Sequence, residues 1–396
     1  MVAALSSSRN ETEMVISSSS RLELLLAASH KFLGLQQHFP VSQSSRLLFS
    51  LVALKDWELH LVDVIGAYLH GDLEEEIYML IPEGVDKRGG ERGYWKLKKL
   101  LYGLKQAGQQ WKVKLDAAMK GLGLEKSSAD NCLYILREDR SDKIVLLILV
   151  YVDDMAIAGA SLIRVTKFKA DFGKIFDITD LGELTYILGI QVARDRQART
   201  ISLNQTAYHQ ILSRFGMDQS HPVSTPLPVK NTLSTLQSPA SDAECKIYLE
   251  FANGMHYLEV VGALLYATQT RPDIQYAVGL ISQFGGNPGI PHLEAAKRIL
   301  RYLKGTVHFS LVLGHKDHHA VDLVGWMDSK AQDPDSRCSI GGFVFDVAGS
   351  SDSRTLDRRL SGVHGHFKCH QGSYLVAGPP RRSLIPTNSG NYCPRG

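Results

Sequence analysis

One stretch constrains the fold more than any other. In "KIVLLILVYVDDMAIAG", Lys143 to Gly159, nine apolar residues (Ile144 to Val152) run into two adjacent aspartates and a second apolar run. Nine residues fall well short of the roughly 20 that a helix needs to span a bilayer. Short unbroken apolar runs rich in β-branched residues form buried strands, so the segment predicts a hairpin turning at Asp153 and Asp154. Charged side chains are rarely buried without a partner. The pair is therefore either a solvated polar turn, which is what "VDD" more often is, or a set of ligands.

The flanking pattern suggests where a third acid would stand. "SRLLFSLVALKDWELHLVDVIGAYLHGDL" predicts a short helix and then an alternating strand around Glu58 to Val64, with Asp63 near its end. Leu104, Ala107, Trp111, Leu115 and Ala118 recur at helical spacing, and Gly121 and Gly123 end that helix. "NCLYILRED" and "KIVLLILVYV" follow as strands around the charged turn "DRSD". The order strand, helix, strand, strand predicts an α+β layer with a helix on one face of a sheet. If the strands are neighbours, Asp63 lies beside the 153/154 turn.

Further on, "LGELTYILGIQVARDRQARTISLNQTAYHQILSRFGM" predicts a hairpin and then a helix, and "HPVSTPLPVKN" a proline-bearing linker. Residues 257–305 are mostly helical in pattern. "HLEAAKRILRYLKGT" aligns Lys297, Arg301 and Lys304 on one face, either a phosphate-contact surface or a solvated one. Residues 320–348 contain two strand-like runs, and no periodic pattern persists after them.

Charge is distributed in blocks. From Asp56 to Glu83 there are eight carboxylates and no Lys or Arg; from Gly93 to Lys120 there are seven lysines against Asp116 alone. Such blocks bind cations and phosphates or form two solvated faces. Five scattered cysteines without CxxC spacing, and a start, "MVAALSSSRNETEM", without a signal-peptide pattern, predict an intracellular protein. No membrane span is expected.

Six motifs occur together in order: "DVIGAYLHGDLEEEIYM" (63–79), "YWKLKKLLYGLKQAGQQW" (94–111), "YVDD" (151–154), "LGELTYILGIQV" (181–192), "TRPDIQYAV" (270–278) and "HLEAAKRILRYLKGT" (292–306). Over about 46–347 the chain resembles the reverse transcriptase of copia-type LTR retrotransposons. That resemblance implies an α+β right-hand polymerase fold. Its palm is a ferredoxin-like sheet with helices, joined to truncated fingers, a thumb and connection, and a partial RNase H-like α/β segment. It implies fingers remnant and palm at 46–225, thumb and connection at 226–315 and the RNase H-like segment at 316–348; outside it, serine-rich composition and the loss of periodic pattern predict a disordered leader at 1–45 and a divergent, disordered tail at 349–396.

By the same resemblance Asp63, Asp153 and Asp154 are the catalytic ligands of two Mg²⁺ (or Mn²⁺) ions in RNA-directed DNA synthesis, with an RNA template, a DNA primer and dNTPs as partners. Hard carboxylate oxygens suit those ions. Because neighbours on a strand face opposite ways, both aspartates reach one site only if the turn breaks the pleat. Asp153 is then expected to be the stronger partner of Asp63, and Asp154 the weaker. Tyr68 would be a steric gate against ribonucleotides or an ordinary core tyrosine, and Gln106 would line the nucleotide and template pocket. Tyr151 and Val152 would touch the primer terminus, and Lys105 backbone phosphates. Gly182 and Gly189 would allow close approach to the primer or serve turns and bulges.

The pattern departs from the family at two places. A basic fingers strand ahead of the first aspartate has no match here, where the cations are Arg9, Arg21, Lys31, Arg46 and Lys55. Weak triphosphate binding follows, and a non-catalytic nucleic-acid-binding remnant is the alternative. Asp328 falls at the first catalytic position of RNase H, yet no glutamate follows Glu294, which predicts no RNase H activity. "HGHFKCH" (364–370) has no spacing that supports a zinc site.

Overall fold

The computed structural model describes residues 43–81, 94–138, 143–205, 208–228 and 233–314, and the backbones of strands at 323–330, 340–347, 354–357 and 365–368. The serine-rich segment up to residue 42, the "DRSD" turn, residues 229–232 of the proline-bearing linker and the His and Cys side chains of 364–370 lie outside the described residues. So does the side chain of Asp328.

The chain opens with α1 (Gln43–Lys55) and β1 (Glu58–Val64), followed by a 3-10 turn at Ala67–His70 and a small hairpin, β2 (Tyr78–Leu80) with β3 (Tyr94–Lys96). Next come α2 (Ala107–Gly121), β4 (Glu125–Lys126), β5 (Leu133–Arg137), β6 (Ile144–Tyr151), β7 (Asp154–Gly159), α3 (Leu162–Phe172) and β8 (Ile178–Glu183). Strands β4, β5, β6, β7, β1 and β8 form one six-stranded sheet in that order, with every pairing antiparallel. The expected neighbour relation between the Asp63 strand and the aspartate hairpin is thus present as the β1–β7 pairing.

Helices were expected on one face of this sheet, and the structure covers both. On one side Trp111, Leu115 and Met119 of α2 and Val165, Phe168 and Phe172 of α3 pack on Val62, Val64, Ile148, Val150, Met155 and Ile157. On the other, α1 packs on Leu59, Leu61, Leu147, Ala156 and Ala158. A second sheet joins it there, ordered β12-β11-β10-β9: β9 (Tyr186–Ile187), β10 (Ile190–Asp195), β11 (Thr200–Asn204) and β12 (Leu311–Leu313). Burial on both faces is why Val145 to Val150 is a continuous apolar stretch instead of an alternating one.

A separate helical core holds α4 (Tyr208–Arg214), α5 (Asp242–Ala252), α6 (Tyr257–Ala267), α7 (Gln275–Ile281) and α8 (Ile290–Gly305). Leu212 of α4 packs with Val260, Leu264, Val278, Ile299 and Leu303, so the cores divide between β11 and α4, ahead of the expected boundary at 225. Polar contacts tie the two together. Arg46 donates to the carbonyls of Thr268 and Gln269 at 3.2 and 2.7 Å, just past the C-terminal end of α6, where a cation is favoured. Tyr266 donates to Leu188 O at 2.8 Å.

The last described strands, β13 (Leu323–Lys330), β14 (Ile340–Val347), β15 (Arg354–Asp357) and β16 (Gly365–Lys368), form a sheet ordered β15-β14-β13-β16. Two of them fall in 349–396, where no regular structure was expected. Backbone pairing of four residues at a sheet edge needs no periodic side-chain pattern, so the sequence carried no sign of it.

Gly182 and Gly189 serve the chain's own turns. Gly182 sits at the register shift between β1 and β8 with φ of 73°. Gly189 has φ of 79°, and a methyl group added to it would lie 2.1 Å from the Tyr266 hydroxyl oxygen, the group that bonds Leu188. Gly189→Ala should therefore cost about 1–3 kcal/mol, from backbone strain and the displaced tyrosine. Urea denaturation checks this; a change within about 0.5 kcal/mol, the range of an ordinary surface substitution, would contradict it.

Candidate active site

The register of β1 against β7 sets Asp63 directly opposite Asp154. Val64 N–H donates to Asp153 O at 2.9 Å, which makes 64 and 153 a hydrogen-bonded pair. Asp63 and Asp154 are consequently a non-bonded pair, the type whose side chains stand closest together on one face. Tyr151 pairs with Asp154, leaving Val152 and Asp153 as a two-residue turn. Val152 has φ of 59°, a rare conformation for a β-branched residue and one that costs about 1–3 kcal/mol. That turn breaks the pleat between Tyr151 and Asp154.

All three aspartates are half-buried. Burial, and then the neighbouring Asp153 charge, push the Asp63 carboxyl above the usual carboxylate range. Burial, Asp153 and Asp63 do the same to Asp154. Among the described residues no lysine or arginine contributes to either shift. Asp153 is the stronger carboxylate influence on Asp154, while Asp154 faces Asp63 across the strands. As they stand, no three His, Cys, Asp or Glu side chains among the described residues are arranged to hold a metal ion.

The other candidates lie at varying distance from this pair of strands. Tyr68 is half-buried in the 3-10 turn, its ring centroid 4.5 Å from that of Tyr102. Gln106 caps the start of α2 and donates to Glu75 at 2.9 Å. Lys105 and Tyr151 are exposed. Asp328 lies on β13 opposite Gly342, in a different sheet from the three aspartates.

The charge blocks pair with each other in part. Lys96 bonds Glu76, and Lys114 bonds Asp72 at 3.0 Å. The cations on the basic face of α8 make contacts within the chain. Arg301 donates to His221 O at 2.6 Å, Lys304 to Ser220 O at 2.8 Å, and Lys297 lies 4.4 Å from the centre of the Phe251 ring. Arg301 and Lys304 hold the segment after α4 against the helix, and Lys297 packs on α5, roles neither expectation contained.

Residues 27–229, just over half of the 396, match the family model described as reverse transcriptase (RNA-dependent DNA polymerase). The chain belongs to the reverse transcriptase family, in its copia-type retrotransposon branch. It is 42% identical over 313 residues to the retrovirus-related Pol polyprotein from transposon TNT 1-94 of Nicotiana tabacum, covering 78% of this chain and 23% of that protein. Against the Pol polyprotein from transposon RE1 of Arabidopsis thaliana the identity is 33%, over 76% of this chain and 20% of that one. A putative transposon Ty5-1 protein of Saccharomyces cerevisiae is 30% identical, over 76% of this chain and 94% of its own length. The chain thus spans less than a quarter of the two Pol polyproteins.

Within this reverse transcriptase chain, two residues near the aspartates escaped the sequence reading. Tyr102 belongs to the same "LYGLKQ" motif as Gln106, and that motif was its signal. Burial, then the Asp153 charge and Tyr68, raise its hydroxyl above the ordinary tyrosine range, against a hydrogen bond to the Tyr68 backbone. The second, Trp111, registered only as an apolar helix position. Its indole N–H donates to Val152 O at 2.8 Å across 41 positions of chain, a contact no local pattern reveals. Among the described residues no helix is long and apolar enough to cross a membrane.

Proposed function

We propose that this chain is the polymerase portion of a copia-type retrotransposon, carrying out RNA-directed DNA synthesis with Asp63, Asp153 and Asp154 as ligands of two Mg²⁺ or Mn²⁺ ions. The observation that carries the reading is the strand register that opposes Asp63 to Asp154 with Asp153 in the adjoining turn. Their charge fits a cation: Asp153 raises the pKa values of Asp63 and Asp154, and among the described residues no basic side chain offsets it. The fit is one of charge and of strand register. The bound ions would neutralise the triphosphate and activate the primer's 3′-hydroxyl.

The six-stranded sheet is the palm, and the helical core from α4 to α8 the thumb and connection. Tyr68 acts as the gate that excludes the ribonucleotide 2′-hydroxyl, and Gln106 lines the nucleotide pocket. Tyr151 and Val152 meet the primer terminus, and Lys105 contacts backbone phosphate. The segment from 316 on, with Asp328, lacks RNase H activity. Primer extension on an RNA template with dNTPs and Mg²⁺ or Mn²⁺ tests the reading. Extension supports it; hybrid binding without extension supports instead a non-catalytic binding remnant. Tyr68→Ala should raise ribonucleotide incorporation relative to deoxyribonucleotide by roughly ten- to a hundredfold, measured as the ratio of kcat/KM values. An unchanged ratio would return Tyr68 to the core.

A further inference from the structure

We infer that Trp111 is a positioning residue for the aspartate turn: its indole N–H holds the Val152 carbonyl and thereby fixes how Asp153 and Asp154 are presented. The residue is 3% exposed, on the face of α2 that packs against the sheet. Its ring is set by an edge contact with Phe176 at 5.2 Å, and His70 lies 6.1 Å away. Phe176 is in turn held by Phe172 at 5.1 Å and His70 at 5.2 Å. The donor is therefore locked before it meets its acceptor at 2.8 Å.

The acceptor needs such a hold. Val152 is the first central residue of a two-residue hairpin turn, with φ of 59°. Glycine suits that position, and a β-branched residue resists it. Two successive carbonyls of the turn are tied in different directions, Val152 O to α2 and Asp153 O to Val64 N–H of β1. Loss of the first tie frees the turn to rotate about the second, and Asp153 moves with it.

The metal-binding arm of the test rests on the carboxylate reading above, and the kinetic arm on the polymerase reading. Trp111→Phe keeps the aromatic packing and removes the donor. It should bind Mn²⁺ about tenfold more weakly by calorimetry, and lower kcat at least tenfold with little change in KM for dNTP. Adding Val152→Gly should restore Mn²⁺ affinity, because glycine holds the positive φ without the tie. A merely structural tryptophan would lower the melting temperature and leave Mn²⁺ affinity unmoved, and that result overturns the inference alone. A wild-type chain that binds no Mn²⁺ overturns the carboxylate reading and the inference together. Should Trp111→Phe fail to fold, indole ¹H–¹⁵N spectra of the wild type decide. The four tryptophan signals are assigned by replacing Trp57, Trp95 and Trp326 in turn. Mg²⁺ should shift the Trp111 signal, and a signal that stays fixed overturns the inference.

Discussion

Asp153→Asn is expected to abolish primer extension and, at the same time, to raise the melting temperature of the metal-free chain. Asp153 is the charge that both Asp63 and Asp154 feel. If the three hold the ions, removing it forfeits several kcal/mol of charge stabilisation. At 1.36 kcal/mol per tenfold, the rate falls by about a thousandfold or more. The gain in stability has the opposite origin. A carboxyl whose pKa is raised in the folded state binds its proton more tightly there than in the unfolded chain. Its ionised form therefore costs stability above that raised pKa, and the cost disappears as pH falls through it. The substitution relieves Asp63 and Asp154 together, so the rise in stability on mild acidification is smaller in the variant. Mg²⁺, binding the folded state, should raise the wild-type melting temperature and leave the variant's unchanged. Extension at the wild-type rate, or equal Mg²⁺ stabilisation of both proteins, would contradict this.

The largest stability loss should follow Arg271→Ala, far from the aspartates. Arg271 is 1% exposed, yet its guanidinium is fully engaged. Nε and Nη2 donate to the two carboxylate oxygens of Asp273 at 3.0 and 2.7 Å, Nη1 to Thr306 O at 2.9 Å, and Nη2 also to the Thr306 hydroxyl at 2.6 Å. The group lies within 5.6 Å of the Tyr302 ring centre and 5.3 Å of that of Phe309. The knot joins the segment after α6 to the end of α8, and the motif "TRPDI" exists to tie it. Burial opposes ionisation of Asp273, but Arg271, with the Tyr302 hydroxyl, holds its pKa below the ordinary value. Truncation leaves that acid without its cation, at a cost of about 3–5 kcal/mol by urea denaturation. The pair's contribution is present above the unfolded pKa of Asp273 and is lost as pH falls through the depressed folded one, so the difference between wild type and variant shrinks in acid. Arg271→Lys should recover only part, because an ammonium cannot reproduce the two-pronged contact. A loss under about 1 kcal/mol would show that the knot does not stabilise the fold.

The hairpin with its aspartates was legible because a strand buried on both faces writes itself as an unbroken apolar run, here Val145 to Val150. The position of Asp63 followed from alternation around Glu58 to Val64 and the order of elements. Less of the surroundings could be read. Nothing in "TAYHQILSRFGM" indicates that Leu212 packs with Val260 and Leu303 instead of with β11, the strand just before it. Strands as short as β9 and β12 have no measurable period, so the second cover of the sheet stayed hidden. The partners of Lys304 and Arg301 were not legible because they are backbone carbonyls, which are identical at every position of a sequence. Tyr102 and Trp111 were missed for the related reason that each acts through a backbone atom remote in the chain.

The most direct measurement is the number of Mn²⁺ ions held by the chain bound to an RNA template and a chain-terminated DNA primer with the next dNTP, counted by electron paramagnetic resonance. Two ions per wild-type chain, with loss of binding in Asp63→Asn, is the expected result. Wild-type and Asp63→Asn chains that take up Mn²⁺ equally, or a wild type that takes up none, would show that these aspartates hold no catalytic ions.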